Sequence, residues 1–468
     1  MCEHNIVLDT DSYKASHWLQ YPPNTTRVFS YIESRGGRHD HTVMFGLQYY
    51  LQKYLANRVT TKDVKEAAEF FKAHGEPFNE DGWMHIVHEH GGKLPLRIRA
   101  VPEGTVVPVS NALVTVENTC DQCFWITSWV ETMLLRIWYP ITVATESRYI
   151  KSIIKAYLDL TSDDPAAEIN FKLHDFGARG VSSQESACIG GAAHLVNFMG
   201  SDTVVGVLTA NRYYNTPMAA FSIPAAEHST ITSWGRDNEA EAYRNMLRQY
   251  GKPGALLAVV SDSYDIYNAC ENIWGGTLKQ EVIDSGAVVV VRPDSGHPAT
   301  VVLKCLQLLD SKFGHTVNSK GYKVLNNVRV IQGDGVNADS IAEILNAALG
   351  ASYSATNIAF GMGGALLQQH NRDTQQFAMK CSYMEADGKG IRVTKNPITD
   401  KGKKSKGGKL DLVRSPTNNE LATVAQCTDS KGLAQADSYS HSVMETVFLN
   451  GEVTKEYMFD EVRKNAAL

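Results

Sequence analysis

The feature that most constrains this chain is a repeated texture between about residues 165 and 385. Short apolar runs rich in Val and Ile keep ending in polar or glycine residues, with helical patterns between them. The runs are INFKLHD (169–175), FSIPAAEH (221–228), ALLAVVSDSYD (255–265), AVVVVRPDSG (287–296), VRVIQGDG (328–335) and NIAFGMGG (357–364). Strand-then-helix repetition implies right-handed crossovers and therefore a parallel sheet. Nearly continuous apolar strands predict a sheet covered on both faces, as in an irregular (β/α) barrel, whose chemistry sits on loops at the C-terminal strand ends. A doubly wound open sheet is the alternative, with function gathered at one switch point.

Helix signals fit between these runs. Ser182-x-x-Glu185 and Ser340-x-x-Glu343 read as capping boxes, the second followed by Ile341, Ile344, Leu345 and Ala348 on one face and stopped by Gly350. Outside the repeat the texture changes. Residues 94–117 alternate apolar and polar positions between Pro-Glu-Gly and Ser-Asn turns, and TVFLNGEVTKEY (446–457) places Asn450-Gly451 between two strand-like runs. Both ends therefore predict one mostly antiparallel β domain. The expected boundaries are 1–164 for its N-terminal part with helices, 165–385 for the α/β barrel and 386–468 for its C-terminal part.

Composition narrows the function. A formal charge of -6 excludes the basic surplus of a nucleic-acid binder, while leaving room for local Arg and Lys clusters that hold phosphate. The apolar stretch Phe124 to Trp138 is too short to cross a membrane and carries Glu131 and Arg136, so it reads as a buried helix stopped by Pro140. The start, MCEHNIVLDTDSYK, has no apolar leader core, and eight scattered cysteines suit reduced thiols, which together predict a cytoplasmic protein. Cys120 and Cys123 form a single CxxC with no second pair or nearby His cluster in the sequence, so no metal or redox role is expected of it.

Candidate chemistry gathers at the strand ends. In RPDSG (292–296), Arg292 can grip phosphate with its planar fork and Asp294 can accept ribose hydroxyls. A polar loop with an ordinary ion pair has the same composition. Gly333-Asp334-Gly335 and Gly361-Met362-Gly363-Gly364 can turn backbone amides toward an anion, although isolated glycine turns are common. Phe176 and Arg179 follow another strand, where a ring can stack on a flat heterocycle beside an anion holder, or simply pack in the core. Glu227-His228 ends a further run; a lone histidine is usually structural, but a carboxylate next to it at a strand end raises the weight of a functional role. The lysine-rich stretch 400–409 reads as a solvated hairpin loop.

Taken with TDSYK (10–14), YPPNT (21–25), FGLQY (45–49), AVPEG (100–104), WYPITVAT (138–145), KLHDFG (172–177), PAAEHSTIT (224–232), VVSDSYDIYNAC (259–270), QGDGV (332–336) and FDEVRKNA (459–466), these residues resemble the nicotinamide phosphoribosyltransferase family over almost the whole chain. The resemblance implies a type II phosphoribosyltransferase working as a homodimer on nicotinamide and phosphoribosyl pyrophosphate, with Mg²⁺ and with ATP as an optional coupled substrate. It implies that Phe176 stacks on the pyridine ring, with Tyr13 of a second copy on the other face, and that Asp202 accepts the carboxamide NH₂. It implies that Arg179, His228 and Arg292 hold diphosphate. Asp294, Gly333, Asp334, Gly364 and Arg372 would hold the ribose phosphate. Asp265 would support His228, the phosphate-accepting residue, beside Glu227. Lys380, Lys395 and Lys403 would line the rim. Three rivals stay open on sequence: a nicotinate phosphoribosyltransferase, a barrel aldolase or isomerase, and a binding protein without catalysis.

Overall fold

A computed structural model describes residues 5–399, 403–415, 418–425 and 442–468. The chain divides into two compact units. One holds the residues up to Thr145 together with Arg212–Thr216 and His370–Ala467, and the other holds Glu146–Asn211 and Pro217–Gln369.

The second unit is built on a six-stranded sheet. Its order is Gly200–Ser201, Leu173–Asp175, Ile358–Met362, Val328–Gln332, Val288–Arg292 and Leu256–Val260, every neighbouring pair parallel. The run 221–228 forms no regular strand. It makes one parallel bridge to each edge of the sheet instead, Phe221 to Gly200 and Ala225 to Ala258. Pro224 explains the interruption, because it has no N–H to continue a ladder; its carbonyl accepts from Ala258 N at 2.9 Å. The expected strand at 169–175 is likewise shorter: Ile169–Phe171 is a 3₁₀ turn, and only Leu173–Asp175 joins the sheet.

Local chemistry sets the crossovers. Helix Ala338–Gly350 starts at Asn337, whose side chain accepts from Ser340 N, and buries Ile341, Ile344, Leu345 and Ala348. The cap thus falls on Asn337 rather than Ser340; similarly Ser183, not Ser182, caps helix Gln184–His194 by accepting from Ser186 N. Gly191 of that helix meets Gly206 of helix Val204–Tyr213 so closely that a Cβ on either would collide with the other's backbone. His194 is fully buried, with Nε2 3.2 Å from the carbonyl oxygens of both Leu173 and Gly200, and so joins the first two strands. Burial holds its pKa down at about 3, so the ring is neutral.

The other unit carries a seven-stranded antiparallel sheet. Its order is Lys389–Arg392, Phe377–Ala386, Thr25–Ser34, Ala112–Asn118, Leu96–Ala100, Glu445–Leu449 and Glu452–Val453, so strands from both chain ends share it. Asn450 and Gly451 turn the last hairpin with φ of 51° and 83°, the left-handed pair such a two-residue loop demands. Glu103 is buried and accepts from Gly46 N at 3.0 Å, Gln48 N at 2.7 Å and the Tyr214 hydroxyl at 2.6 Å. Burial pushes its pKa up.

Four expectations need correction. Residues 377–385, expected in the barrel, form the strand paired with Thr25–Ser34, because their mixed burial suits a partly covered antiparallel sheet. The parallel unit also starts earlier than 165, at Glu146. Pro140 does not stop a helix but sits in the first turn of the 24-residue helix Trp138–Thr161, where a missing N–H costs nothing. The stretch 400–409 lies partly outside the described residues; within it Lys406 is not simply solvated, since it pairs with buried Glu33. Among the described residues no helix is long and apolar enough to cross a membrane.

Candidate active site

In the parallel unit the polar residues gather where the strands end. Val260 closes one strand, and Asp262 lies two residues beyond it with its side chain only 5% exposed. One oxygen of Asp262 lies 3.0 Å from His228 Nε2. The other accepts from Asp294 N at 3.1 Å and from Ser295 Oγ at 2.6 Å. On the neighbouring strand, Arg292 donates to both carboxylate oxygens of Asp294, from Nε at 3.3 Å and from a terminal nitrogen at 3.0 Å. The Arg292 guanidinium in turn lies 6.0 Å from the centre of the Phe176 ring. His228, Asp262, Asp294, Arg292 and Phe176 thus form one connected series drawn from four segments of the chain.

Glycines make room for it. Phe176 emerges from strand Leu173–Asp175, donates its N–H to Met362 O at 2.9 Å, and rests on Ala258, Val290 and Ile331 of the sheet interior. A Cβ at Gly361 would collide with the Phe176 ring. A Cβ at Gly333 would meet Arg292 Nε, Asp294 Oδ1 and the Phe176 ring, each at 3.5 Å, so Gly333 lies where the series converges. Asp334, next along, is exposed, and its carbonyl accepts from Gln332 Nε2 at 2.7 Å. Gly364 opens the short helix Gly364–Leu367 about one van der Waals contact from Gly180, at 3.8 Å for a Cβ placed there, beside the exposed Arg179.

Asp202 follows the adjacent strand end, donating its N–H to Asp175 O at 3.0 Å and accepting from Ser222 Oγ at 2.5 Å. Beneath it, burial raises the Asp175 carboxyl to a pKa of about 6.

The structure corrects the support assigned to His228. Asp265 spends its carboxylate on the amides of Tyr267 and Asn268, capping the next turn, at 2.9 and 3.0 Å. Glu227 is engaged by Ser229 Oγ within its own turn. The nearest partner of His228 is Asp262, at Nε2, with Asp294 4.0 Å from Nδ1; sequence reasoning passed over Asp262. The available signal was position: in VVSDSYD, Asp262 stands closer to the strand end than Asp265 does.

Tyr13, Arg372 and Lys380 belong to the antiparallel unit. Tyr13 is 56% exposed, edge-on to His17 with ring centres 4.9 Å apart. Arg372 opens an exposed turn capped by Asn371. Lys380 lies on strand Phe377–Ala386, its pKa held down by burial and then by the positive charges of Arg35 and Lys395.

Anion-capable loops around an aromatic platform, all at parallel strand ends, define a fold and site of the phosphoribosyltransferase class. Comparison agrees. Residues 171–452 match the nicotinate phosphoribosyltransferase (NAPRTase) family, and residues 5–98 match the nicotinamide phosphoribosyltransferase N-terminal domain. The fold is shared with the crystal structure of nicotinate-nucleotide pyrophosphorylase from Pyrococcus furiosus, at a TM-score of 0.61 and 15% identity over 100% of this chain and 96% of that one. A nicotinamide phosphoribosyltransferase of Xanthomonas campestris is 56% identical over 99% of this chain and 98% of its own length. Another, of Acinetobacter baylyi, is 30% identical over 98% and 96%. The chain belongs to the nicotinamide phosphoribosyltransferase family.

Proposed function

We infer that this chain transfers the phosphoribosyl group of phosphoribosyl pyrophosphate to nicotinamide, yielding nicotinamide mononucleotide and pyrophosphate in pyridine nucleotide salvage. The observation that carries the reading in the geometry is the Arg292 fork held by Asp294 beside Phe176, a phosphate gripper next to a stacking ring. In the reaction the bond from ribose C1 to diphosphate breaks and its electron pair leaves with the diphosphate, while the pyridine nitrogen lone pair forms the new bond to C1. That nitrogen carries no proton to remove, so no general base is required. Arg292, Arg179 and His228 stabilise the charge growing on the leaving group, and Asp262 orients His228 toward it. Phe176 and Asp202 align the ring, the carboxylate accepting from the carboxamide NH₂.

Asp202 also favours this reading over nicotinate transfer, because a second carboxylate would be repelled there. Mg²⁺ belongs to the reading: Asp262, Asp294 and Asp334 offer the hard oxygen donors it takes, and when bound with diphosphate it would neutralise leaving-group charge. ATP coupling through His228 is supported by its carboxylate partner: Asp262 holds Nε2 at 3.0 Å, and Nδ1, 4.0 Å from Asp294 Oδ2, is the nitrogen that would take the γ-phosphate as ADP departs. A closed irregular barrel is supported by the two edge bridges of segment 221–226. A cytoplasmic location is supported by the six described cysteines, none of them in a disulfide. A homodimer contributing Tyr13 across subunits, with Arg372 holding the ribose phosphate and Lys380 at the rim, rests on the family resemblance and on the exposure of Tyr13.

The test is labelled ribosyl transfer with nicotinamide and nicotinate side by side. The reading expects mononucleotide and pyrophosphate from nicotinamide far faster than from nicotinate, and equal use of both would end it.

A further inference from the structure

The CxxC of the antiparallel unit is not isolated in space. His85 and His90 stand beside Cys120 and Cys123, and one ligand atom from each of the four lies within 4.8 Å of all the others, the one such cluster among the described residues. We propose that these four side chains form a structural zinc site of Cys₂His₂ type, separate from the ribosyl-transfer residues.

The elements converge for reasons legible in the backbone. His85 rides on helix Glu80–Glu89, and His90 ends that helix by donating its N–H to Ile86 O at 3.2 Å. Cys120 follows strand Ala112–Asn118, and its carbonyl accepts both from Asn118 Nδ2 at 2.8 Å and from Cys123 N at 3.0 Å, which curls the CxxC into a tight turn. Cys120 Sγ already lies 3.5 Å from His85 Nε2. Tetrahedral zinc, with bonds of about 2.3 Å to sulfur and 2.0 Å to nitrogen, sets its ligand atoms roughly 3.3–3.8 Å apart. The spacings Cys-x₂-Cys and His-x₄-His fall in the range of small zinc sites.

A second observation points to a missing ligand. His90 Nε2 is buried and has no hydrogen-bond partner, an arrangement that costs free energy unless something binds there. Cys123 is buried as well. Binding would release the two thiol protons, leaving two thiolates and two neutral imidazoles around Zn²⁺ with no net charge. Two thiolates and two imidazoles suit zinc rather than Mg²⁺, which takes oxygen ligands. With every position filled by protein, the site has no open coordination position for catalysis and serves to clip the helix to the end of the strand.

The experiment uses the full-length chain with any affinity tag removed, purified under reducing conditions. Elemental analysis should find about one zinc per chain, and Cys123→Ser and His90→Ala should each lose it while keeping the far-ultraviolet dichroism of the wild type. Should those variants misfold, chelator-stripped wild type titrated with cobalt(II) decides. Tetrahedral d–d bands with thiolate charge transfer at about one equivalent support the site. A cobalt spectrum without those features overturns it, as does a Cys120–Cys123 disulfide that persists under excess zinc and reductant.

Discussion

In the parallel unit His228, Asp262, Asp294 and Arg292 hold one another at strand ends, and the His228 side chain is 45% exposed. In the antiparallel unit the comparable groups are committed inward: Glu103 is satisfied by two amides and a tyrosine, Lys14 pairs with Glu131 at 2.7 Å, and Arg99 with buried Asp411 at 3.4 Å. The topology accounts for the contrast. Parallel strands all end on the same side, so their following loops pool polar residues with capacity left for a ligand. Antiparallel strands end on alternate sides, and their polar residues are consumed in holding the chain together. Charge in one unit is therefore expected to govern activity, and charge in the other, stability.

The largest effect should come from the inward set. Glu103→Leu strips the acceptor from three donors at about 1–3 kcal/mol each, so urea unfolding should show a loss of at least about 3 kcal/mol. A stable Glu103→Leu protein would break the contrast. Next comes Arg292→Lys, which keeps the charge but loses the two-nitrogen grip on Asp294; kcat/KM for phosphoribosyl pyrophosphate should fall about 100-fold, close to 3 kcal/mol, with little change in stability.

His194 sharpens the comparison by being an inward group within the parallel unit. Its folded pKa, about 3, lies below the unfolded value of 6.5. The stability it confers is therefore complete above pH 6.5 and drains as pH falls from there toward 3, because the unfolded chain takes up a proton that the folded one refuses. Wild type should lose about 1.4 kcal/mol per pH unit more than His194→Asn between pH 6 and 4 in denaturant titrations. Parallel slopes would show that the ring is charged in the fold. The smallest effect is expected at exposed Asp202: Asp202→Asn should narrow the preference for nicotinamide over nicotinate about tenfold, roughly 1.4 kcal/mol, in competitive transfer assays. An unchanged preference would remove Asp202 from recognition.

The alternation of apolar runs and helices made the parallel sheet legible, and Asn450-Gly451 made the terminal hairpin legible, because both signals are local. Phe176, Arg292, Asp294 and Gly333 were legible for the same reason: each stands at or just past the end of an apolar run. Asp262 was not, since its tie to His228 spans 34 residues and only its place nearer the strand end separates it from Asp265. The CxxC went unread for a related reason. Its histidines lie some thirty residues upstream in a helix, and only the fold brings them beside the cysteines. Residues 377–385 misled by following a barrel strand closely, although their pairing partner is the distant Thr25–Ser34.

The contrast between the units is tested most directly on Asp262, which joins His228 to the Arg292 loop. Asp262→Asn keeps the shape but removes the charge, so kcat/KM with nicotinamide and the thermal midpoint should be measured on the same preparation. The account predicts a fall of about 100-fold in kcat/KM, near 3 kcal/mol, with a midpoint within a few degrees of wild type. Full activity in the variant, or an activity loss matched by an equal loss of stability, would contradict it.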